Sequence, residues 1–230
     1  MLINLRNALM TGKKATCVPF VMCAAPSGVS GFLVPWANGT DAGFKIEIGI
    51  YIPKTSSSVD GYYGYLYDPS HQIGYRIFSL TFDNTEQKTG FCIDTDTSDS
   101  GRRTVFQGTW YPNTNPGDYR GYPCDISYNN LNRSAVFSYN GTTYSNSANQ
   151  GSKTAIFPQQ VYLLNGVNGS YEHALIYCRY VSGQGNVLHD YIPIKSGTGV
   201  RLRDKITGLE YSPVSPQYYT YGELPALQSA

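Results

Sequence analysis

The chain has 230 residues, enough for one large domain with a buried core. Charged residues make up 14% and the formal net charge is +1, which excludes a broad basic surface that would hold nucleic acid or an anionic membrane. The 21 tyrosines and 24 glycines exclude a disordered tail and favour an all-β protein with many turns.

The first 14 residues predict a short amphipathic helix, because apolar side chains recur there three and four residues apart. A helix of about two turns is not stable alone in water, so it must dock on a surface. That surface is either a neighbouring subunit or particle, or the chain's own domain. The residues of the predicted virion anchor are Leu2, Ile3, Leu5, Leu9 and Met10.

The five cysteines include no C-x-x-C pair, which argues against a zinc ribbon or a thioredoxin-type motif. Their apolar surroundings indicate reduced, mostly buried thiols. The apolar stretch that follows Lys13 and Lys14 is interrupted by Pro19 and Pro26, so it does not predict a membrane-spanning helix. We expect no signal peptide and folding in a reducing cytoplasm.

From about residue 30 onward, short runs of β-forming residues alternate with turns rich in Gly, Asn and Pro. Residues 44–53 alternate apolar and polar side chains, as in a strand that is buried on one face. Asn140-Gly141 is a two-residue hairpin signal, and 183–186 predicts another turn. The pattern predicts an all-β fold, an antiparallel two-sheet sandwich or barrel.

Two tyrosine-rich stretches, 61–72 and 111–125, predict long surface loops between strands. An aromatic ring can stack on the apolar face of a sugar, and a phenol can bind its hydroxyls. The alternative is that these side chains fill the loops or a subunit interface. The candidate glycan-binding residues are Tyr62, Tyr63, Tyr65, Trp110, Tyr111 and Tyr119.

The sequence predicts no catalytic centre, since none of its three histidines lies in a catalytic or metal-binding motif. We expect His189 to be a strand residue that bonds Asp190 or the backbone. Asp94 and Asp96 share one face of a strand end, which fits a solvated turn, weak Ca²⁺ ligands or an acid–base pair. We therefore expect no enzyme, and no cofactor apart from this weak Ca²⁺ candidate.

Residues 173–213, HALIYCRYVSGQGNVLHDYIPIKSGTGVRLRDKITGLEYSP, carry a set of short motifs. They include Asp190-Tyr191-Ile192-Pro193 and the Asp204-Lys205 and Thr207-Gly208 pairs. This segment, with the opening LINLRNALMTGKK, resembles laminin-G-like, concanavalin A-like jelly-roll proteins of gut-bacterial phages and prophages. The stretch VMCAAPSGVSGFLVPW, residues 21–36, departs from the usual pattern of that family.

The resemblance implies a jelly roll with its first and last strands adjacent, in a virion that is assembled in the bacterial host cytoplasm. We expect residues 1–29 to be an anchor helix with a linker, and residues 30–230 to be the jelly-roll domain. The expected role is a non-enzymatic capsid-decoration or head-fibre protein that displays a lectin-like domain for glycan or host attachment. Expected partners are other virion proteins, further copies of the chain and a glycan, without nucleic acid or membrane. The alternative is a surface or secreted carbohydrate-binding module of a bacterium.

Overall fold

The computed structural model describes residues 15–24, 26, 29–36, 43–53, 61–67, 76–83, 88–94, 104–109, 119–132, 134–147, 159–165, 172–197 and 199–222. Within these ranges the chain is almost entirely strand and turn, with a single 3-10 turn at Pro216–Tyr218. Among the same residues, no helix has the length and apolar character needed to span a membrane.

Seventeen strands are present in the described part of the chain. In chain order they are β1 (Thr16–Cys17), β2 (Phe20–Cys23), β3 (Phe32–Pro35), β4 (Lys45–Tyr51), β5 (Gly61–Tyr67), β6 (Arg76–Asp83), β7 (Lys88–Asp94), β8 (Thr104–Thr109), β9 (Pro123–Asn129), β10 (Ser134–Tyr139), β11 (Thr142–Ser147), β12 (Gln160–Leu163), β13 (His173–Val181), β14 (Val187–Ser196), β15 (Gly199–Asp204), β16 (Glu210–Tyr211) and β17 (Tyr219–Gly222).

The strands form two antiparallel sheets. The larger sheet runs β11-β10-β9-β4-β13-β14-β15-β16, and β2 joins β13 to β17 while β1 pairs with β14. The smaller sheet runs β3-β12-β5-β6-β7-β8. The last strand, β17, thus lies beside β2 near the start of the chain. This is an antiparallel two-sheet jelly-roll sandwich, which confirms the predicted fold class.

The core lies between the two sheets. The larger sheet supplies Ile46, Ile48 and Ile50 of β4 together with the inward residues of its neighbours. Strands β3 and β12 of the smaller sheet supply paired apolar residues, because Val34 lies opposite Val161 in the register. Strict alternation along β4 therefore buries one face of the sheet and leaves the other towards solvent.

Aromatic contacts hold the two layers together. Trp36, which follows β3, meets Tyr180 of β13 edge to face at 5.1 Å between ring centroids. Phe32 of β3 meets Tyr219 of β17 in the same way at 5.2 Å. Each ring is at least nine-tenths buried, so these pairs fix the spacing of the sheets as well as filling it.

The hairpin predicted at Asn140-Gly141 is confirmed. Both residues have positive φ, 48° and 74°, as a two-residue turn between twisted strands requires. Tyr139 and Thr142 are direct partners in the register of β10 and β11. The turn at 183–186 is also present and joins β13 to β14.

The predicted boundary between linker and domain at residues 29 and 30 is too late in the chain. Strand β2 pairs with β13 on one side and β17 on the other, and β1 pairs with β14. Val21 and Cys23 are fully buried, so this segment is part of the sheet and the core. The predicted helix over residues 1–14 lies outside the described residues.

The predicted loops at 61–72 and 111–125 are partly wrong. Residues 61–67 form β5, and a register shift between Gly64 and Leu66 lets both Tyr65 and Leu66 point into the core. Residues 123–129 form β9, next to β4 near the middle of the larger sheet. Gly and Pro suggested turns here, but tyrosine is a strong β-former and tertiary pairing prevailed.

Candidate functional site

Two of the tyrosines predicted to bind glycan are buried. Tyr65 is fully buried and meets His173 edge to face at 5.5 Å. Tyr119 is also fully buried and meets Phe137 at 5.5 Å. A fully buried ring has no face to offer to a ligand, so these two predictions are corrected, in agreement with the packing alternative.

The described side chains do not include those of the other predicted site residues. Tyr62 and Tyr63 lie on β5 and Asp94 ends β7, but their side chains are outside the described set. The remaining candidates fall outside the described residues altogether; they are Leu2, Ile3, Leu5, Leu9, Met10, Asp96, Trp110 and Tyr111. Among the described side chains, no three His, Cys, Asp or Glu residues group as metal ligands would.

The outward face of the larger sheet instead presents an ordered polar surface. Residues directly opposite one another on neighbouring strands share a face, so the register defines which side chains form a row. One row contains Thr143, Ser138, Asp125, Gly49 and Tyr177. The adjacent row contains Ser145, Val136, Ser127, Glu47, Arg179 and Asp190.

Tyr177 lies over Gly49 in the first row. A methyl group built on Gly49 would come within 2.4 Å of Cε1 and 2.5 Å of Cδ1 of Tyr177, so this edge of the ring fills the space that a side chain would occupy. The phenol donates a hydrogen bond of 2.8 Å to Oδ1 of Asp125 on β9. Burial, followed by that hydrogen bond, raises the pKa of Tyr177 and keeps its phenol protonated.

Arg179 anchors the second row. Its Nη1 donates to Oε2 of Glu47 at 2.9 Å, and its Nη2 contacts Oδ2 of Asp190 at 3.4 Å. Lys205 closes the row, with its Nζ at 2.8 Å from the same Asp190 oxygen. Burial alone would lower the pKa of Arg179, but the two carboxylates raise it, so the guanidinium stays charged.

We call the group Glu47, Asp125, Tyr177, Arg179, Asp190 and Lys205 the Tyr177 patch. Beside it the rows continue with the small side chains Ser127, Ser138 and Thr143, and the hydroxyls of the last two lie 3.0 Å apart. Small residues leave open surface next to a fixed aromatic ring and several hydrogen-bonding groups. This arrangement can bind and orient a polar ring-shaped ligand.

The turn after β15 supports one end of the patch. Asp204 is fully buried and accepts hydrogen bonds from the backbone N–H groups of Asp190 and Ile206 and from the Thr207 hydroxyl. Oδ2 of Asp204 also lies 2.9 Å from Nδ1 of His189. His189 therefore pairs with Asp204, and the predicted bond to Asp190 or the backbone is wrong. The turn thereby fixes Lys205, whose N–H donates to the Asp190 carbonyl.

Sequence reasoning missed every residue of the Tyr177 patch as part of a site. The available signal was the alternation of β4, which already placed Glu47 on the face opposite the isoleucines. The alternation could not show which residues of β9, β13 and β14 lie opposite Glu47 and Gly49. That information comes from the strand register.

No protein-family model and no curated protein sequence matches this chain. Solved structures with a similar arrangement include the binding domain of botulinum neurotoxin serotype D, with a TM-score of 0.45, 10% identity, and coverage of 83% of this chain and 56% of the toxin domain. This chain thus spans just over half the length of that domain.

Two lectin structures are also similar. The galectin LEC-6 of Caenorhabditis elegans has a TM-score of 0.33 and 12% identity over 62% of this chain and 87% of the galectin. The legume lectin-like domain of Entamoeba histolytica has a TM-score of 0.38 and 11% identity over 77% of this chain and 92% of the domain. Because these scores are low, the assignment of the fold rests on the strand pairing described above.

Proposed function

We propose that this protein is a non-enzymatic, carbohydrate-binding jelly roll that is displayed on a phage virion as a capsid-decoration or head-fibre component. The observation that carries the binding function is the Tyr177 ring packed over Gly49 at the outward face of the larger sheet. The rest of the Tyr177 patch surrounds this ring with charged hydrogen-bonding groups.

The Tyr177 patch has the properties that a sugar site requires. A sugar ring has an apolar face that packs on an aromatic ring and an edge of hydroxyls that needs donors and acceptors. The hydrogen bond to Asp125 and the contact with Gly49 hold the Tyr177 ring in place before any ligand arrives. A ligand therefore binds without the entropic cost of ordering that side chain.

The non-catalytic assignment is supported by the ion pairs that two of the three carboxylates of the Tyr177 patch make. Glu47 and Asp190 each contact Arg179, and Asp190 also contacts Lys205. A general acid or nucleophile needs a carboxylate whose protonation state is poised for the reaction. Carboxylates held in ion pairs instead serve as permanent hydrogen-bond acceptors.

The virion setting is supported by the resemblance of residues 173–213 and of the opening segment to phage jelly-roll proteins. Four of those motif residues contact one another at the turn that borders the Tyr177 patch; they are Asp190, Asp204, Lys205 and Thr207. Electron cryomicroscopy of native particles should reveal the domain on the outer surface of the head. Particles that lack it in both density and mass spectrometry would contradict this part of the proposal.

Replacing Tyr177 tests the binding function. Tyr177→Ala removes the stacking surface, so we expect sugar affinity to fall about tenfold or more, which corresponds to at least about 1.4 kcal/mol. Tyr177→Phe keeps the ring and removes only the hydrogen bond to Asp125, so it should lose less. Glycan-array screening followed by calorimetry with the best ligand gives both numbers.

The matched control is Tyr221→Ala, because Tyr221 is an exposed tyrosine of β17 that lies outside the two rows. This variant should bind the ligand as the unmodified protein does. The proposed function is wrong if the Tyr177→Ala variant binds the ligand as tightly as the unmodified protein does. It is also wrong if the intact protein binds no glycan.

A further inference from the structure

We infer that the Tyr177 patch selects neutral, hydroxyl-rich sugars over acidic sugars, and that Asp125 and Glu47 determine this selectivity. The inference rests on the proposed function and names the ligand class of the same site. Its basis is the charge and the hydrogen-bonding state of each group in the Tyr177 patch.

Each of the two cations of the Tyr177 patch already contacts a carboxylate. Both terminal nitrogens of the Arg179 guanidinium face carboxylates, Nη1 towards Glu47 and Nη2 towards Asp190. Lys205 contacts Asp190 at 2.8 Å. An acidic sugar would have to displace one of these carboxylates to gain the paired hydrogen bonds that arginine offers to an anion.

The carboxylates retain free acceptor capacity. Oδ1 of Asp125 accepts from Tyr177 and Oε2 of Glu47 accepts from Arg179, while Oδ2 of Asp125 and Oε1 of Glu47 have no partner among the described residues. An ionised carboxylate only accepts hydrogen bonds. The ligand must therefore supply donors, and sugar hydroxyls are donors.

The charge of the Tyr177 patch opposes an anion. Three carboxylates against two cations leave a formal charge of −1. Asp125 is exposed and lies at the tip of the Tyr177 ring, so the carboxylate of an acidic sugar stacked there would meet a like charge.

The Arg179 guanidinium lies over the Tyr177 ring, with its Cζ 6.0 Å from the ring centroid, and it already contacts Glu47 and Asp190. Lys45 is the other neighbouring cation. It is exposed on the same face of β4 as Glu47. Tyr177 lies opposite Gly49, four residues further along that strand, which is about 13 Å away. Lys45 therefore lies too far along the strand to form an ion pair with an anion that sits on the Tyr177 ring.

The test compares neutral hexose methyl glycosides with their uronic acid counterparts on the full chain. Ligand-observed NMR or calorimetry at about 0.01 M ionic strength should show at least about tenfold tighter binding of the neutral member of each pair. The preference should shrink as salt rises towards about 1 M, because repulsion by the exposed carboxylate is screened.

Asp125→Asn and Glu47→Gln keep the shape of each side chain and remove its charge, so each should narrow the preference for the neutral sugar. Glu172→Gln changes an exposed carboxylate outside the Tyr177 patch and should leave the preference intact. Thermal unfolding verifies that each variant is folded. The comparison of neutral with acidic sugars on the unmodified protein tests the selectivity even if a variant does not fold.

The outcomes separate the two proposals. Equal or tighter binding of the acidic sugars would overturn the selectivity and leave carbohydrate binding in place. An unchanged preference in folded Asp125→Asn and Glu47→Gln variants would overturn the role of these two residues. Failure of both sugar classes to bind would overturn the proposed function and this inference together.

Discussion

Asp204 shows how one buried side chain positions a surface site. Its carboxylate is fully buried, yet it accepts hydrogen bonds from two backbone N–H groups and a hydroxyl and pairs with His189. Burial alone would raise the pKa of Asp204, but these hydrogen bonds outweigh it and lower the pKa below its ordinary value of 3.8. The charged form is therefore the one that stabilises the turn.

This lowered pKa predicts how stability depends on pH. The contribution of Asp204 is present above pH 3.8 and is lost as the pH falls through the lower pKa of the folded state. Asp204→Asn should cost about 2–3 kcal/mol at neutral pH, because a buried charged acceptor is replaced by a neutral group. Its stability should fall less steeply on acidification than that of the unmodified protein, as measured by urea unfolding.

Glu210 acts in the same direction, since hydrogen bonds from Arg203 lower the pKa of its carboxyl group. Part of the acid sensitivity will therefore remain in the Asp204→Asn variant. Glu172→Gln, at an exposed position before β13, is the control and should leave the curve unchanged. Identical acid profiles for Asp204→Asn and the unmodified protein would show that Asp204 does not have this role.

Strand β2 marks where the folded body begins. It lies between β13 and β17 and buries Phe20, Val21 and Cys23. Burial of each large apolar side chain contributes about 1.5–3 kcal/mol relative to exposure. Residues 15–23 are therefore part of the fold, which leaves residues 1–14 as the segment that can serve as the proposed anchor.

Two truncations follow from this division. Deletion of residues 1–14 should leave a soluble domain whose thermal midpoint changes by a few degrees at most, but which no longer joins the particle. Deletion of residues 1–24 removes β1 and β2 and should prevent folding. If the shorter deletion also unfolds the chain, residues 1–14 belong to the core of the domain and the anchor proposal is wrong.

The sequence predicted those elements whose signal is local. The alternation of β4 and the Asn140-Gly141 turn depend on residues that are neighbours in the chain, and both are confirmed. Strand β5 was mistaken for a loop because glycines at a bulge look like turn residues. Strand β9 was missed because its start, at Pro123, lies in a stretch punctuated by Gly and Pro.

The candidate site could not be predicted because its residues lie far apart in the sequence and are brought together only by strand pairing. The Tyr177 patch brings together residues from β4, β9, β13, β14 and the turn after β15, which are up to 158 positions apart, from Glu47 to Lys205. Only the register brings Tyr177 beside Gly49, where the missing side chain makes room for its ring. The tyrosine-rich sequence therefore predicted aromatic contacts with sugar but could not single out Tyr177 as the proposed contact.

NMR titration of the isotopically labelled full chain with the best-binding sugar tests the central claim most directly. Carbohydrate binding at the Tyr177 patch predicts that the largest shift changes fall on Tyr177, Gly49, Asp125 and Arg179, with small changes on the face of the sandwich that carries β5. Changes centred on any other surface, with these four residues unaffected, would contradict the account.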